Sequence, residues 1–200
     1  MKKEKKPWNH NYAYHKWIAK TIGDRKRILD VGCGDGTLAR LFGTADHSVL
    51  GIDPSASAIE RANAQNTCDN VSFVQAAFES YDFGGQTFDA VIFVASLHHM
   101  DMTEALTKAK TLLEENGVLI VVGLAKPSSL RDRFVEAARV VPSWILSTAK
   151  KNVTSEELEI DVSYEFPPMD EVRHICGELL PGYEIRYGLH YRYLLTWEKK

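Results

Sequence analysis

Little in this sequence points to a covalent framework, a leader or a membrane. It has only three cysteines, Cys33, Cys68 and Cys176. None stands in C-x-x-C spacing, and an odd number argues against full pairing, so a disulfide-stapled fold is not expected. No apolar run reaches membrane-spanning length, and none of signal-peptide type follows the opening lysines. A cytoplasmic protein, monomer or homodimer, is therefore expected. Charge of one sign is also scarce: the formal net charge is −3, which supplies no global basic field for a nucleic acid. The local cluster Lys2, Lys3, Lys5 and Lys6 reads as a solvated terminus. There is no internal repeat and no low-complexity segment.

What is present suits one domain, 1–200, that needs no staple: 200 residues with 44% apolar content are enough for a hydrophobic core. Residues 10–21 read as a short aromatic helix within an N-terminal cap segment, 1–25. Strand-like apolar runs follow at 27–31, 49–52, 71–74, 90–95 and 118–122. Helical stretches separate them: one after position 36 with Leu38, Leu41 and Phe42 at helical spacing, one from a Ser55 cap to about Gln65, and one over 101–115 that starts at Asp101 and stops at Asn116-Gly117. Strands alternating with helices imply a parallel sheet. Beyond it, 128–149 reads as an amphipathic helix that Pro142 should kink or end, and 150–167 as loop. A further helix spans about 169–180. Two aromatic runs, 183–187 and 191–197, read as a closing antiparallel hairpin. The segment 126–167 is expected to be an insertion or lid over the acceptor side.

The chemistry is concentrated where the first run stops. Gly32-Cys33-Gly34-Asp35-Gly36 directly follows a buried strand, and glycine lets a ligand approach the main chain closely. The second run ends at Asp53-Pro54, where an acid can accept hydrogen bonds from a ribose diol. Thr37 breaks the G-x-G-x-x-G spacing that a dinucleotide pyrophosphate requires.

These residues resemble class I S-adenosylmethionine methyltransferases. Ile28 to Thr37 is similar to their first motif, Gly51 to Ser55 to the second, Phe88 to Val91 through His98-His99 to the fourth, and Leu112-Leu113 through Leu119 to the strand-five motif. The likeness covers roughly 8–125 and is greatest to small bacterial enzymes grouped with ubiquinone and menaquinone biosynthesis. It implies a Rossmann-like α/β fold: seven strands, mostly parallel, with a C-terminal antiparallel hairpin and helices on both faces. It implies S-adenosylmethionine as cofactor, with S-adenosylhomocysteine as product. Gly32, Cys33 and Gly34 would pass beneath the cofactor, and Asp30 would lie near its ammonium. Asp53 and Pro54 would lie at the ribose, the backbone of Ala77 and Phe78 at the adenine, and Ala95 beside the methionine part. Related proteins often carry an acid where Ala77 stands.

The acceptor is not legible. His98 and His99, past the fourth strand, are the candidate bases, since histidine titrates near working pH. Tyr14 and His15 are candidate acceptor contacts, and both pairs read equally as packing. No Asp/Asn-Pro-Pro-Tyr/Phe run or Pro-Cys pair follows strand four, which argues against amine or carbon-5 methylation of DNA. No Asp/Asn cluster suggests a metal. A small-molecule acceptor is the leading expectation. RNA or protein methylation, or a non-catalytic S-adenosylmethionine-binding module, are the alternatives.

Overall fold

A computed structural model of the chain describes residues 10–44, 46–128, 166–188 and 192–200. The expected helix over 128–149, most of the loop over 150–167, and His190 and Tyr191 lie outside the described residues.

The seven strands are β1 (Arg27–Val31), β2 (Ser48–Asp53), β3 (Val71–Gln75), β4 (Phe88–Val94), β5 (Leu113–Leu124), β6 (Glu184–Tyr187) and β7 (Arg192–Glu198). They form one sheet in the order β3-β2-β1-β4-β5-β7-β6. The first five are parallel, while β7 runs antiparallel to both β5 and β6. The expected Rossmann-like sheet with its closing hairpin is what forms. The order reverses between β1 and β4, and in open α/β sheets ligands bind at such a switch point, beyond the carboxyl ends of the strands.

Alternation along the strands divides the core between the two faces. Ile28, Val49, Ala90, Ile92, Val118, Ile120 and Val122 pack with Ile18 and Ile22 of helix α1 (His15–Ile22) and with Leu38, Ala39 and Phe42 of α2 (Thr37–Phe42). Leu29, Val31, Val91, Phe93, Leu119 and Val121 face the other way. They pack with Leu106 and Ala109 of α4 (Met102–Leu112) and Val172 and Cys176 of α5 (Met169–Leu179). Central strands covered on both faces explain the nearly continuous apolar runs.

Local signals set most helix starts. Helix α3 (Ala56–Ala64) begins where the Ser55 hydroxyl accepts the Ala58 amide, and α4 where Asp101 accepts that of Glu104. One boundary and one burial differ from expectation. Helix α4 ends at Leu112, and Leu113 already pairs with Phe88. The register then jumps to Ala90–Val118, leaving Glu114–Gly117 of β5 as a bulge opposite Asp89. Leu41, expected on the buried stripe of α2, is instead 52% exposed; a helix of six residues is too short to bury a full apolar face.

Candidate cofactor and acceptor site

The loop after β1 is held to the end of β2. The Gly32 and Cys33 amides both donate to the Ile52 carbonyl, at 2.8 and 3.1 Å. The Gly34 amide donates to Asp53 Oδ2 at 2.9 Å, and Ser55 N donates to Asp53 Oδ1 at the same distance. The side chain of Asp53, 19 residues along the chain, therefore shapes the glycine loop. Pro54 is exposed beside it. Asp35 accepts the Thr37 amide, so the start of α2 is already capped from within the loop.

Gly32 and Gly34 do different work. Both have positive φ, +72° and +55°. A Cβ on Gly32 would stand 2.3 Å from the Ser96 Cβ, whereas one on Gly34 meets nothing within 4 Å. The first glycine admits the strand-four loop; the second opens onto free space. Ser96, in turn, donates its hydroxyl to the Val31 carbonyl at 2.6 Å. It thereby ties the end of β4 to the end of β1. Nothing in the sequence pairs Ser96 visibly with Gly32.

Asp30 and Ser96 are the fully buried polar side chains among the described residues. Asp30 Oδ2 has no hydrogen-bond partner, and such a group is costly unless something compensates it. Burial first, then the neighbouring negative charges of Asp53 and Asp35, push its pKa up to about 7. An acid cluster around a buried, unsatisfied carboxylate repels phosphates and attracts a cation.

The other expected cofactor contacts are placed as follows. Cys33 is buried, its sulfur 2.9 Å from where a Cβ on Gly51 would stand, and burial holds the thiol protonated. It packs the loop and offers no nucleophile. The Phe78 ring is in the core, edge-on to Phe83 and Phe93. Ala77 is exposed, and its carbonyl accepts the Tyr81 amide. Ala95 has φ +54°, rare for a residue with a side chain, while its amide donates to the Val122 carbonyl. Such strain persists only where surrounding structure enforces it.

His98 and His99 lie on a short 3-10 turn, Leu97–His99, just past β4. Their ring centroids are 4.0 Å apart, and His98 also meets Phe166 edge-on. His98 Nδ1 is buried without a partner. Desolvation, helped by His99 and by the charge of Arg192, pushes its pKa down to about 4, so the ring is neutral. His99 is exposed. Tyr14 is buried against the α1 side of the sheet. His15 is half-buried beside Tyr12, and burial lowers its pKa. No group of three or more His, Cys, Asp or Glu side chains among the described residues is arranged to hold a metal.

Comparison with known proteins bears on the family and the fold. Residues 28–117 match the model of a methyltransferase domain. The chain is 31% identical over 196 residues to an uncharacterized methyltransferase of Mycobacterium tuberculosis, covering 96% of each. It is 25% identical over 162 residues to a ubiquinone biosynthesis O-methyltransferase of Azorhizobium caulinodans, covering 78% of this chain and 64% of that one. Among solved structures, a Pyrococcus horikoshii protein superposes with a TM-score of 0.68 at 21% identity, covering 94% of this chain and 89% of the other. The magnesium protoporphyrin IX methyltransferase of Synechocystis, solved with S-adenosylhomocysteine, gives 0.62 at 16% identity, covering 95% and 81%.

Proposed function

Since this chain belongs to the family of methyltransferase domains, we propose that it transfers the methyl group of S-adenosylmethionine to an oxygen, nitrogen or carbon atom of a small molecule. The observation that carries the choice of cofactor is Asp30 Oδ2, buried and unsatisfied at the tip of β1 beside Asp53 and Asp35. S-adenosylmethionine brings an ammonium and a sulfonium to this end. A dinucleotide would bring a pyrophosphate to the same three acids. The residues present fit the first and disfavour the second.

When bound, the cofactor supplies an activated methyl on a sulfonium, and the chain supplies position. Asp30 compensates the positive charge. Asp53, already fixed by Gly34 and Ser55, keeps lone pairs for ribose hydroxyls. Gly34 leaves room for close approach. Ala95 and the Ala77–Phe78 backbone border the methionine and adenine ends. His98, held neutral with an open Nδ1, accepts a hydrogen bond or proton from the acceptor, with His99, Tyr14 and His15 around the mouth. Much of the rate of such a displacement comes from alignment. Named relatives and neighbours act in ubiquinone biosynthesis and on magnesium protoporphyrin, which supports a small-molecule acceptor.

Calorimetric titration with S-adenosylmethionine, S-adenosylhomocysteine and NAD in parallel tests the reading. Binding of the two sulfur nucleosides and not NAD is expected. Binding of NAD alone, or of none, overturns it.

A further inference from the structure

The third glycine of the loop is not used by the cofactor reading. Gly36 has φ +72°, and a Cβ placed there would stand 3.0 Å from Arg40 Nη1 and closer still to the Phe73 ring. The loop thus meets an aromatic ring from β3 and a guanidinium from α2. Arg40 Nη1 donates to the Asp35 carbonyl at 2.6 Å and, at 3.5 Å, to the Ala62 carbonyl. Its Nη2 donates to Thr37 Oγ1 at 3.3 Å and to Gln65 Oε1 at 3.0 Å. Asp35 and Thr37 belong to the glycine loop and the start of α2, whereas Ala62 and Gln65 belong to the end of α3 and its cap.

Asp53 joins the same two bodies near the start of α3, by accepting the Gly34 amide and that of Ser55. Arg40 joins them again near its end. The glycine loop is therefore attached to α3 at two places, once by an acid and once by a base. A guanidinium suits the second because its planar fork directs several donors at once. A loop already held in its binding shape loses less freedom when a ligand arrives. Resting on the methyltransferase reading, we infer that Arg40 is a positioning residue for the cofactor. It holds the Asp35 carbonyl and Gly36 in register with α3, so that the Gly34 amide and Asp53 keep their spacing. It acts through the loop rather than by touching the cofactor. Gln65, exposed on the surface, then contributes to cofactor affinity only by way of Arg40.

The test is calorimetric titration with S-adenosylhomocysteine of the full chain, of Arg40→Ala, of Gln65→Ala, of the two combined, and of Gln65→Glu. Arg40→Ala should weaken binding about fivefold or more and Gln65→Ala about threefold, while the double variant should bind no more weakly than Arg40→Ala alone, because residues that act as one unit are not additive. Gln65→Glu keeps an acceptor for the guanidinium and should bind as the wild type does. Arg25→Gln separates a merely structural role. It loses bonds to the Asn116 carbonyl and to Glu198, and should lower the melting temperature while leaving affinity unchanged. Unchanged affinity in Arg40→Ala, independent effects of Arg40 and Gln65, or an equal loss in Arg25→Gln overturns the inference while the methyltransferase reading stands. Failure of the wild type to bind S-adenosylhomocysteine fails that reading instead. If Arg40→Ala does not fold, the Gln65 variants decide. Weaker binding and shifted Gly34 and Gly36 amide resonances in Gln65→Ala, both restored in Gln65→Glu, are expected, and their absence overturns the inference.

Discussion

Gly32 and Ser96 meet so closely that a methyl group on the first would stand 2.3 Å from the Cβ of the second. The contact joins the two strand ends that flank the switch point, and the Ser96 hydroxyl closes it on Val31. Gly32→Ala is therefore expected to destabilise the fold by about 2–5 kcal/mol, through a left-handed alanine and an overpacked contact. Thermal or denaturant unfolding checks this.

Gly34→Ala should behave differently. The added methyl meets no atom within 4 Å, so only the left-handed penalty of about 1–2 kcal/mol applies to stability. The same methyl intrudes on the space assigned to the cofactor, and affinity for S-adenosylhomocysteine should fall at least about tenfold, roughly 1.4 kcal/mol. Calorimetry beside a melting curve separates the two effects, and equal affinity would remove Gly34 from the site.

Asp30 sets stability against binding. Its folded pKa is raised from 3.8 to about 7, so the folded state holds a proton that the unfolded state has lost. Stability is greatest below pH 4 on this account and declines as pH rises through 7, by up to roughly 4 kcal/mol. Asp30→Asn removes that penalty and should raise the melting temperature of the ligand-free protein at pH 8. The same change should weaken S-adenosylmethionine binding. In the wild type, binding of this cation should tighten from pH 6 to pH 8, because it favours the ionised carboxylate. A variant that is neither more stable nor weaker in binding would show that Asp30 is satisfied by other means.

Asp53→Ala loses both the clasp on Gly34 and the proposed ribose contacts. Affinity for S-adenosylhomocysteine should fall by about 1–3 kcal/mol, measured by calorimetry. Unchanged affinity would exclude Asp53 from the cofactor site.

His98, with its pKa lowered to about 4, should titrate by NMR well below an ordinary histidine. Being depressed on folding, it contributes stability above about pH 6.5 that is lost as pH falls toward 4. A midpoint near 6.5 would place the ring in water.

The sheet was legible in the sequence because its signals are local: a buried β-branched run, a glycine loop, a capping Ser55 or Asp101. That Asp53 and the glycine loop stand at neighbouring strand ends was legible from the motif order, but the hydrogen bond from the Gly34 amide to Asp53 was not. The state of Asp30 was not, because its pKa depends on burial and on two other acids that only folding brings near. Nor was the Gly32–Ser96 contact, between residues 64 positions apart in the numbering, or the hydrogen bonds that the Arg192 guanidinium donates to Asn11 Oδ1, 181 positions away. The end of α4 was misplaced by three residues because Asn116-Gly117 is a good stop signal, yet Leu113 gains more by pairing with Phe88.

The parallel bridge between Lys126 and Pro168 has a consequence for how such a molecule changes over generations. Lys126 N donates to the Pro167 carbonyl at 2.9 Å, and Met169 N donates to the Lys126 carbonyl at 3.0 Å. The chain therefore leaves β5 and returns beside the same point as it enters α5. Lengthening a loop between fixed ends carries only a logarithmic entropic penalty. A change in the number of residues between these two points therefore need not move the strands that hold the glycine loop. Length can change there over generations while the paired backbone of Lys126 and Pro167–Met169 holds the exit and the return at one place.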